Sequence, residues 1–373
     1  MKKTFLILLT AILALSLFVS CEGDLDSIIT GGGSEPVGAK VTITFNANYG
    51  ETPATTTQEV TKDVETTLTK NTFTSPDVKY IFAGWTTDAE GSQSYYGDGD
   101  SVSLTEDLIL YAQWGYPLSS TCTDWSNNVY TLDGTEDDVE IADRISVTGT
   151  VKLFLPNDTT LTASKGITVT GSNSLIINGG TDNNAGKLIA TGEWKYSGIG
   201  GTDDADKKDA GTIIINGGSI KATGGNQAAG IGGGYYDYFN SGKGGVVIIN
   251  GGNVEATCIE YSGAGIGGAE YGVGGTVTIN GGTVKATGGM MGAGIGGGNS
   301  AAGGDVTING GNVTATGGEY AGYIGQGIGC GSFNTDNGNL TIGSSVTVQV
   351  KDNESDAWAS YEVDVRHRYM KAE

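Results

Sequence analysis

Gly275-Thr276-Val277-Thr278-Ile279-Asn280-Gly281-Gly282-Thr283-Val284-Lys285-Ala286-Thr287, closed by Gly292-Ala293-Gly294-Ile295-Gly296-Gly297, is the clearest copy of a unit that the chain repeats five times. Asn-Gly-Gly begins at Asn178, Asn216, Asn250, Asn280 and Asn309, at intervals of 38, 34, 30 and 29 residues. A Gly-Ile-Gly element follows each one, centred on Ile199, Ile231, Ile266, Ile295 and Ile328. A fixed period of about 20 to 50 residues marks a solenoid, whose units cannot bury their apolar faces alone.

The unit reads as strands. Val277 and Ile279 alternate with Thr276 and Thr278, Val284 and Ala286 alternate with Lys285 and Thr287, and Ala293 and Ile295 continue the pattern. Alternation of this kind places one set of side chains inward and the other outward. Three short strands separated by glycine corners make one turn of a parallel β-helix, an all-β fold. The recurrent asparagines are expected to be structural, forming a ladder whose amides bond the corner backbone of neighbouring coils. The paired glycines supply positive φ there. Gly292-x-Gly294-x-x-Gly297 matches a dinucleotide fingerprint by letter, but no helix follows it, so no cofactor is expected.

Glycine accounts for 65 of 373 residues, yet the regular aliphatics argue for a packed chain. Formal net charge is −22, which disfavours nucleic acid and anionic surfaces as partners. His367 is the single histidine, which argues against a histidine-based zinc site or general base. Of four cysteines, Cys122, Cys258 and Cys330 remain once Cys21 is set aside. An odd number cannot all pair, and Cys258 and Cys330 lie in non-neighbouring coils, so buried thiols are expected.

Residues 1–20 read as a secretion signal, with Lys2 and Lys3 before an apolar run from Phe5 to Phe18. The end of that run, Leu17-Phe18-Val19-Ser20-Cys21, resembles a bacterial lipobox. The resemblance implies that Cys21 becomes the first mature residue and carries a lipid, with the membrane as partner. Residues 21–39, acidic and glycine-rich, read as a tether.

Residues 40–115 are poor in Gly-Gly and rich in Thr and aromatics. Val41 to Asn48 alternates as a strand, and Phe82-Ala83-Gly84-Trp85 and Leu110-Tyr111-Ala112-Gln113-Trp114 carry a recognisable core pattern. This segment resembles the Listeria–Bacteroides repeat, a small β-grasp-like module of bacterial surface proteins. It departs from that pattern at Tyr49 and at Asp77 to Lys79, both in loops. The resemblance implies a spacer or protein-contact unit without catalytic residues.

Residues 116–350 are assigned to the solenoid, with irregular coils from Ile141 to Ile177 covering its N-terminal end. Leu161 to Val169 and the repeats resemble the glycine-rich β-helix region of bacterial surface proteins. This implies a right-handed, pectate-lyase-like fold that lyases, hydrolases and binding proteins share. Leu340-Thr341-Ile342 and Val346 to Val350 read as a closing coil, and residues 351–373 as a C-terminal cap.

Candidate chemistry is sparse. The outward column Ile189, Lys221, Glu255, Lys285 and Thr314 reads as a cross-strand charge ladder. The acidic loop from Gly201 to Asp209 carries two lysines and lacks the alternation of a calcium loop, so no metal site is expected. Aromatics gather at the corners around the Gly-Ile-Gly elements. Tyr235, Tyr236, Tyr238, Phe239, Tyr271 and Phe333 follow these elements, and Trp194, Tyr196, Tyr261 and Tyr320 precede them. Rings on one side of a solenoid can stack on sugars or bury against a protein, or simply cover the glycine strands. No catalytic residue is assigned. The expected role is a lipid-anchored, extracytoplasmic, non-enzymatic adhesin or glycan binder. A polysaccharide lyase or glycoside hydrolase is the alternative.

Replacing Cys21 tests the anchor. Cys21→Ala is expected to release the protein from membranes or to leave the precursor uncleaved. Unchanged detergent partitioning with normal processing would exclude lipidation.

Overall fold

The computed structural model describes residues 38–133, 138–360 and 367–373. The expected signal, Cys21 and most of the tether, as far as residue 37, lie outside the described residues. Lys40–Glu373 forms one compact unit. Among the described residues its regular elements are all strands.

A regular coil runs through three strands, exemplified by Thr276–Ile279, Thr283–Thr287 and Ile295–Gly296. Each pairs in parallel with its equivalents in the coils before and after. Val277 lies between Val247 and Val306, Val284 between Val254 and Val313, and Ile295 between Ile266 and Ile328. These stacks form a first, a second and a third sheet around one interior. Columns such as Ile215, Ile249, Ile279 and Ile308, or Ala222, Ala256, Ala286 and Ala315, are wholly buried. Each inward Val or Ile contributes roughly 1.5 to 3 kcal/mol by leaving water.

The third sheet is the tightest part. From Ile199 onward its strands are two residues long, and the glycine of each adopts a φ between 133° and 138° at Gly200, Gly232, Gly267, Gly296 and Gly329. A Cβ on Gly267 would stand 2.0 Å from the Gly296 carbonyl oxygen, and one on Gly232 would stand 2.0 Å from that of Gly267. No side chain fits such a gap, and the backbone conformation itself is one that L-residues avoid.

The asparagines form a continuous chain along the outside of the first corner. Each amide nitrogen donates to the side-chain oxygen of the preceding coil: Asn216 to Asn178, Asn250 to Asn216, Asn280 to Asn250 and Asn309 to Asn280, all at 2.8 Å. The ladder therefore runs side chain to side chain, where bonds to corner backbone were expected. Asn250, Asn280 and Asn309 are exposed. They compete with water for these bonds.

Residues 40–115 were expected to end before the solenoid, but strand Leu108–Pro117 crosses that boundary. Its first half pairs in parallel with Lys40–Asn46, and Tyr116 and Pro117 pair with Tyr130 and Thr131 of the first coil. The module's sheet thus continues into the first sheet of the helix. In a regular strand Phe82 and Trp85 would face opposite ways. A bulge between Phe82 and Gly84 adds one residue, and the two rings meet at 4.9 Å. Tyr49 packs edge-on against Trp114 at 5.9 Å.

Far from acting as a detached spacer, the module lies against several coils. Tyr95 packs on Phe154 at 5.7 Å, and Asn157 donates to Asp100 at 3.0 Å. Asn178 and Asn216 donate to the Gly91 and Ser92 carbonyls at 3.3 and 3.0 Å. Burial pushes the Asp100 carboxyl up from the usual range. The N-terminal coils pair in parallel with those that follow but lack the Ile-Gly strands, and Trp125 is stacked on Tyr130 at 5.4 Å with both rings buried.

At the other end Asn339–Ile342 closes the first sheet on Asp305–Ile308. The second sheet ends differently from expectation. Tyr369–Ala372 pairs antiparallel with Asn312–Thr316, and Val348–Lys351 pairs with Tyr369–Ala372 rather than with the coil below. The C-terminal cap is therefore an inserted strand.

Two substitutions separate these contributions in thermal and urea denaturation. Gly267→Ala is expected to cost about 3 kcal/mol or more, through strain and overpacking at one point. Asn280→Ala is expected to cost about 1 kcal/mol or less, because its partners are solvated. Equal losses would reverse this ranking.

Candidate functional site: an aromatic face over the third sheet

The Ile-Gly strands are so short that the turns before and after them meet. Ala229 N–H donates to the Gly233 carbonyl at 3.0 Å, with equivalents from Ala264 to Gly268 and from Ala293 to Gly297. Tyr235 N–H reaches back to the Lys195 carbonyl at 2.8 Å, and Glu270 N–H reaches the Gln227 carbonyl at 2.8 Å. Loops from both flanks therefore close over the buried glycines, and their side chains form the outer surface on this side.

Several aromatics singled out above are brought together there. Tyr238 lies 4.3 Å from Tyr271 and 5.0 Å from Phe239, and Tyr235 lies 6.5 Å from Tyr271. Their exposure divides them. Tyr235 is buried, with the Lys195 ammonium 5.0 Å above its ring, whereas Phe239 is 92% exposed and Tyr238 60%. Tyr235 therefore belongs to the foundation of the face, and Tyr236, Tyr238 and Phe239 to its surface. Trp194 and Tyr261 are exposed on the preceding turns. A second cluster pairs Tyr323 with Phe333 at 4.4 Å.

Beneath the first cluster is a buried carboxylate that the sequence reading missed. Glu270 accepts from Gln227 Nε2 at 2.6 Å and from Asn299 Nδ2 at 3.4 Å. Three coils each supply one member, so no local motif marks the group. Burial, reinforced by Glu270, pushes the Tyr271 hydroxyl up to about 12 and raises that of Tyr235. The carboxylate is held by two amides, and both phenols stay neutral at ordinary pH. These groups can donate and accept hydrogen bonds but are poorly placed to exchange protons.

Arg144 was also missed. Its guanidinium donates to the carbonyls of Lys165, Ser197, Ile167 and Gly201 and stacks on Tyr196 at 5.0 Å. Burial lowers its pKa to about 10. With its donors on carbonyls of the two coils that follow its own, it clamps three successive turns together.

On the second sheet the column Ile189, Lys221, Glu255, Lys285 and Thr314 is in register. Lys285 Nζ stands 3.4 Å from Glu255 Oε1, a solvated ion pair of little energetic weight. Among the described residues no cluster of three or more His, Cys, Asp or Glu could hold a metal ion. Cys258 and Cys330 are buried and Cys122 is half-buried. Burial pushes the Cys258 thiol up to about 12. A raised pKa disfavours thiolate, so at pH 8 the group stays a thiol. We expect alkylation of Cys258 in the native protein to run at least about tenfold slower than in urea. Equal rates would show that the coil opens around it.

Residues 42–113 match the Listeria-Bacteroides repeat domain. Residues 213–235, 247–270, 277–299 and 306–332 match the beta helix repeat. No curated protein matches the chain, and no solved structure does. The matched beta helix repeats each span a first-sheet strand, a second-sheet strand and the glycine turn, so family and fold divide the chain alike. The protein is thus built from a Listeria-Bacteroides repeat domain followed by beta helix repeats.

Proposed function

We propose that the protein is a non-enzymatic surface lipoprotein, anchored to the cell envelope through Cys21, that contacts glycans with the aromatic face over its third sheet. The observation that carries this reading is the exposure of Tyr238 and Phe239 on a loop whose ends are tied to neighbouring coils, Tyr235 N–H to the Lys195 carbonyl and Gly244 N–H to the Val273 carbonyl. Exposed rings cost solvation, and a rigid array of them loses little entropy on binding. Ring faces suit the C–H faces of sugars, while the hydroxyls of the exposed Tyr236 and Tyr238 offer hydrogen bonds beside them. Both repeat types resemble those of bacterial surface proteins, which supports an extracytoplasmic setting.

A binding role is favoured over lyase or hydrolase chemistry by the state of the charged groups on this face. Lyases and hydrolases need a base and a group that stabilises developing charge, held close together. Here the buried carboxylate is held by amides and the nearby phenols are raised.

Polysaccharide pull-down tests the reading. Replacing Tyr236, Tyr238 and Phe239 together with Ala should weaken retention about tenfold or more while leaving the melting temperature near wild type. Incubation with the same polysaccharides should yield no new reducing ends and no unsaturated products. Unchanged retention in the triple variant would remove the proposed face. Product formation abolished by Glu255→Gln or Glu270→Gln would replace binder with enzyme.

A further inference from the structure

The repeat carries one long insertion on the outer side of the third sheet. Thr191, Thr223 and Thr287 precede the stacked isoleucine by eight residues and Thr257 by nine, but Thr316 precedes Ile328 by twelve. The extra residues form a hairpin, Glu319–Tyr320 against Tyr323–Ile324, turned through Ala321 and Gly322 at φ 52° and 84°. Two positive values in succession are the geometry of a tight hairpin turn. Insertions in a solenoid coil fall on one face and often form the binding face. This one exposes Tyr320, Tyr323 and Ile324 to solvent, which packing alone does not explain.

Behind the hairpin lies a cavity of about 350 Å³. A cavity of about 150 Å³ accepts a six-membered carbon ring, so this one has room for a single sugar ring with its substituents. Tyr323, Ile324 and Phe333 supply an apolar wall, with the two rings 4.4 Å apart and tilted by 41°. The remaining wall is polar. His367 Nδ1 lies 3.0 Å from Asp352 Oδ1, Arg368 is paired with Glu319, and Gln326 Nε2 donates to Asn337 at 2.8 Å. Ser332 also lines the cavity. Its hydroxyl is buried with no hydrogen-bond partner in the protein, an arrangement native structures rarely tolerate without a ligand or water.

We propose that this cavity binds one neutral sugar residue, the end of a glycan chain. A sugar presents an apolar C–H face and a rim of hydroxyls, which matches a ring-lined wall opposite fixed donors and acceptors. The positive groups are already paired, and the chain carries a net charge of −22, so an anionic sugar gains nothing here. The assignment rests on the carbohydrate-binding reading for its ligand class, but on different residues. Tyr236, Tyr238 and Phe239 would hold the length of a glycan, and Tyr323 and Phe333 its terminus.

Saturation-transfer NMR and calorimetry on the full chain in detergent test this with the methyl glycosides of glucose, galactose, mannose and N-acetylglucosamine. Methyl galacturonate and a short tyrosine-containing peptide serve as competing ligand classes. At least one neutral glycoside should bind. Tyr323→Ala with Phe333→Ala should weaken it about tenfold or more, Ser332→Ala should weaken it several-fold, and Lys285→Ala, exposed on the second sheet, should leave it unchanged. Phe333→Leu keeps apolar bulk but removes the ring face, so loss of binding in a variant that melts normally separates recognition from folding. No transfer to any neutral glycoside, tighter binding of galacturonate or peptide, or full binding by the double variant would overturn the proposal. If the glycosides bind here but polysaccharide retention ignores Tyr238 and Phe239, the cavity stands and the face does not. The converse result removes the cavity alone.

Discussion

The close approach of backbone to backbone along the third sheet is the constraint on which the rest of the molecule depends. Where Gly200, Gly232, Gly267, Gly296 and Gly329 stack, carbonyl oxygens occupy the space a side chain would need. The glycines allow the coil to turn within two residues, which sets the narrow cross-section of the core. From Ile213 to Ala315 the core cluster consists of Ile, Val and Ala, whereas the coils before it also bury leucines such as Leu161 and Leu188 and, at the N-terminal end, Trp125. The tight turn also draws the flanking turns together over the outside. The aromatic face therefore follows from the glycine column, because turns that meet over a glycine floor must carry their own side chains outward.

The module and the cap solve the same problem at opposite ends. A stack of parallel strands leaves unpaired backbone at both edges, and open edges recruit other strands. At the start, the strand shared between module and first coil continues the ladder. At the finish, Tyr369–Ala372 inserts antiparallel into the second sheet. Both solutions use backbone pairing reinforced by side chains.

The features visible in the sequence are those that recur. The inward Val and Ile, the Gly-Ile-Gly turns and the Asn column each appear once per coil, and repetition raises them above the background of an ordinary glycine-rich chain. Phe82 to Trp85 was visible as a motif, although its bulge was not. What stayed hidden involves groups that meet once and from distant positions. Gln227, Glu270 and Asn299 belong to three coils, and Asn157 and Asp100 are joined across two families of repeat. His367 meets Asp352 across the cap, fifteen residues apart in the chain. Val348–Lys351 has the alternation of a coil strand and would have stacked as one, had a later strand not taken the edge first. Alternation specifies which face of a strand is buried but not which neighbour it pairs with.

The asparagine chain has a direction, every amide pointing toward the module. A polar rung of this kind looks the same from any coil to the next, and so do the isoleucine and glycine columns beneath it. The interior of the stack is therefore indifferent to how many coils it holds. Duplication or loss of one unit between Asn250 and Asn309 would change the length by about 4.8 Å and leave the docked module and the inserted terminal strand untouched. Whole coils are thus the natural unit of change in this fold, and the contacts at its two ends do not depend on their number.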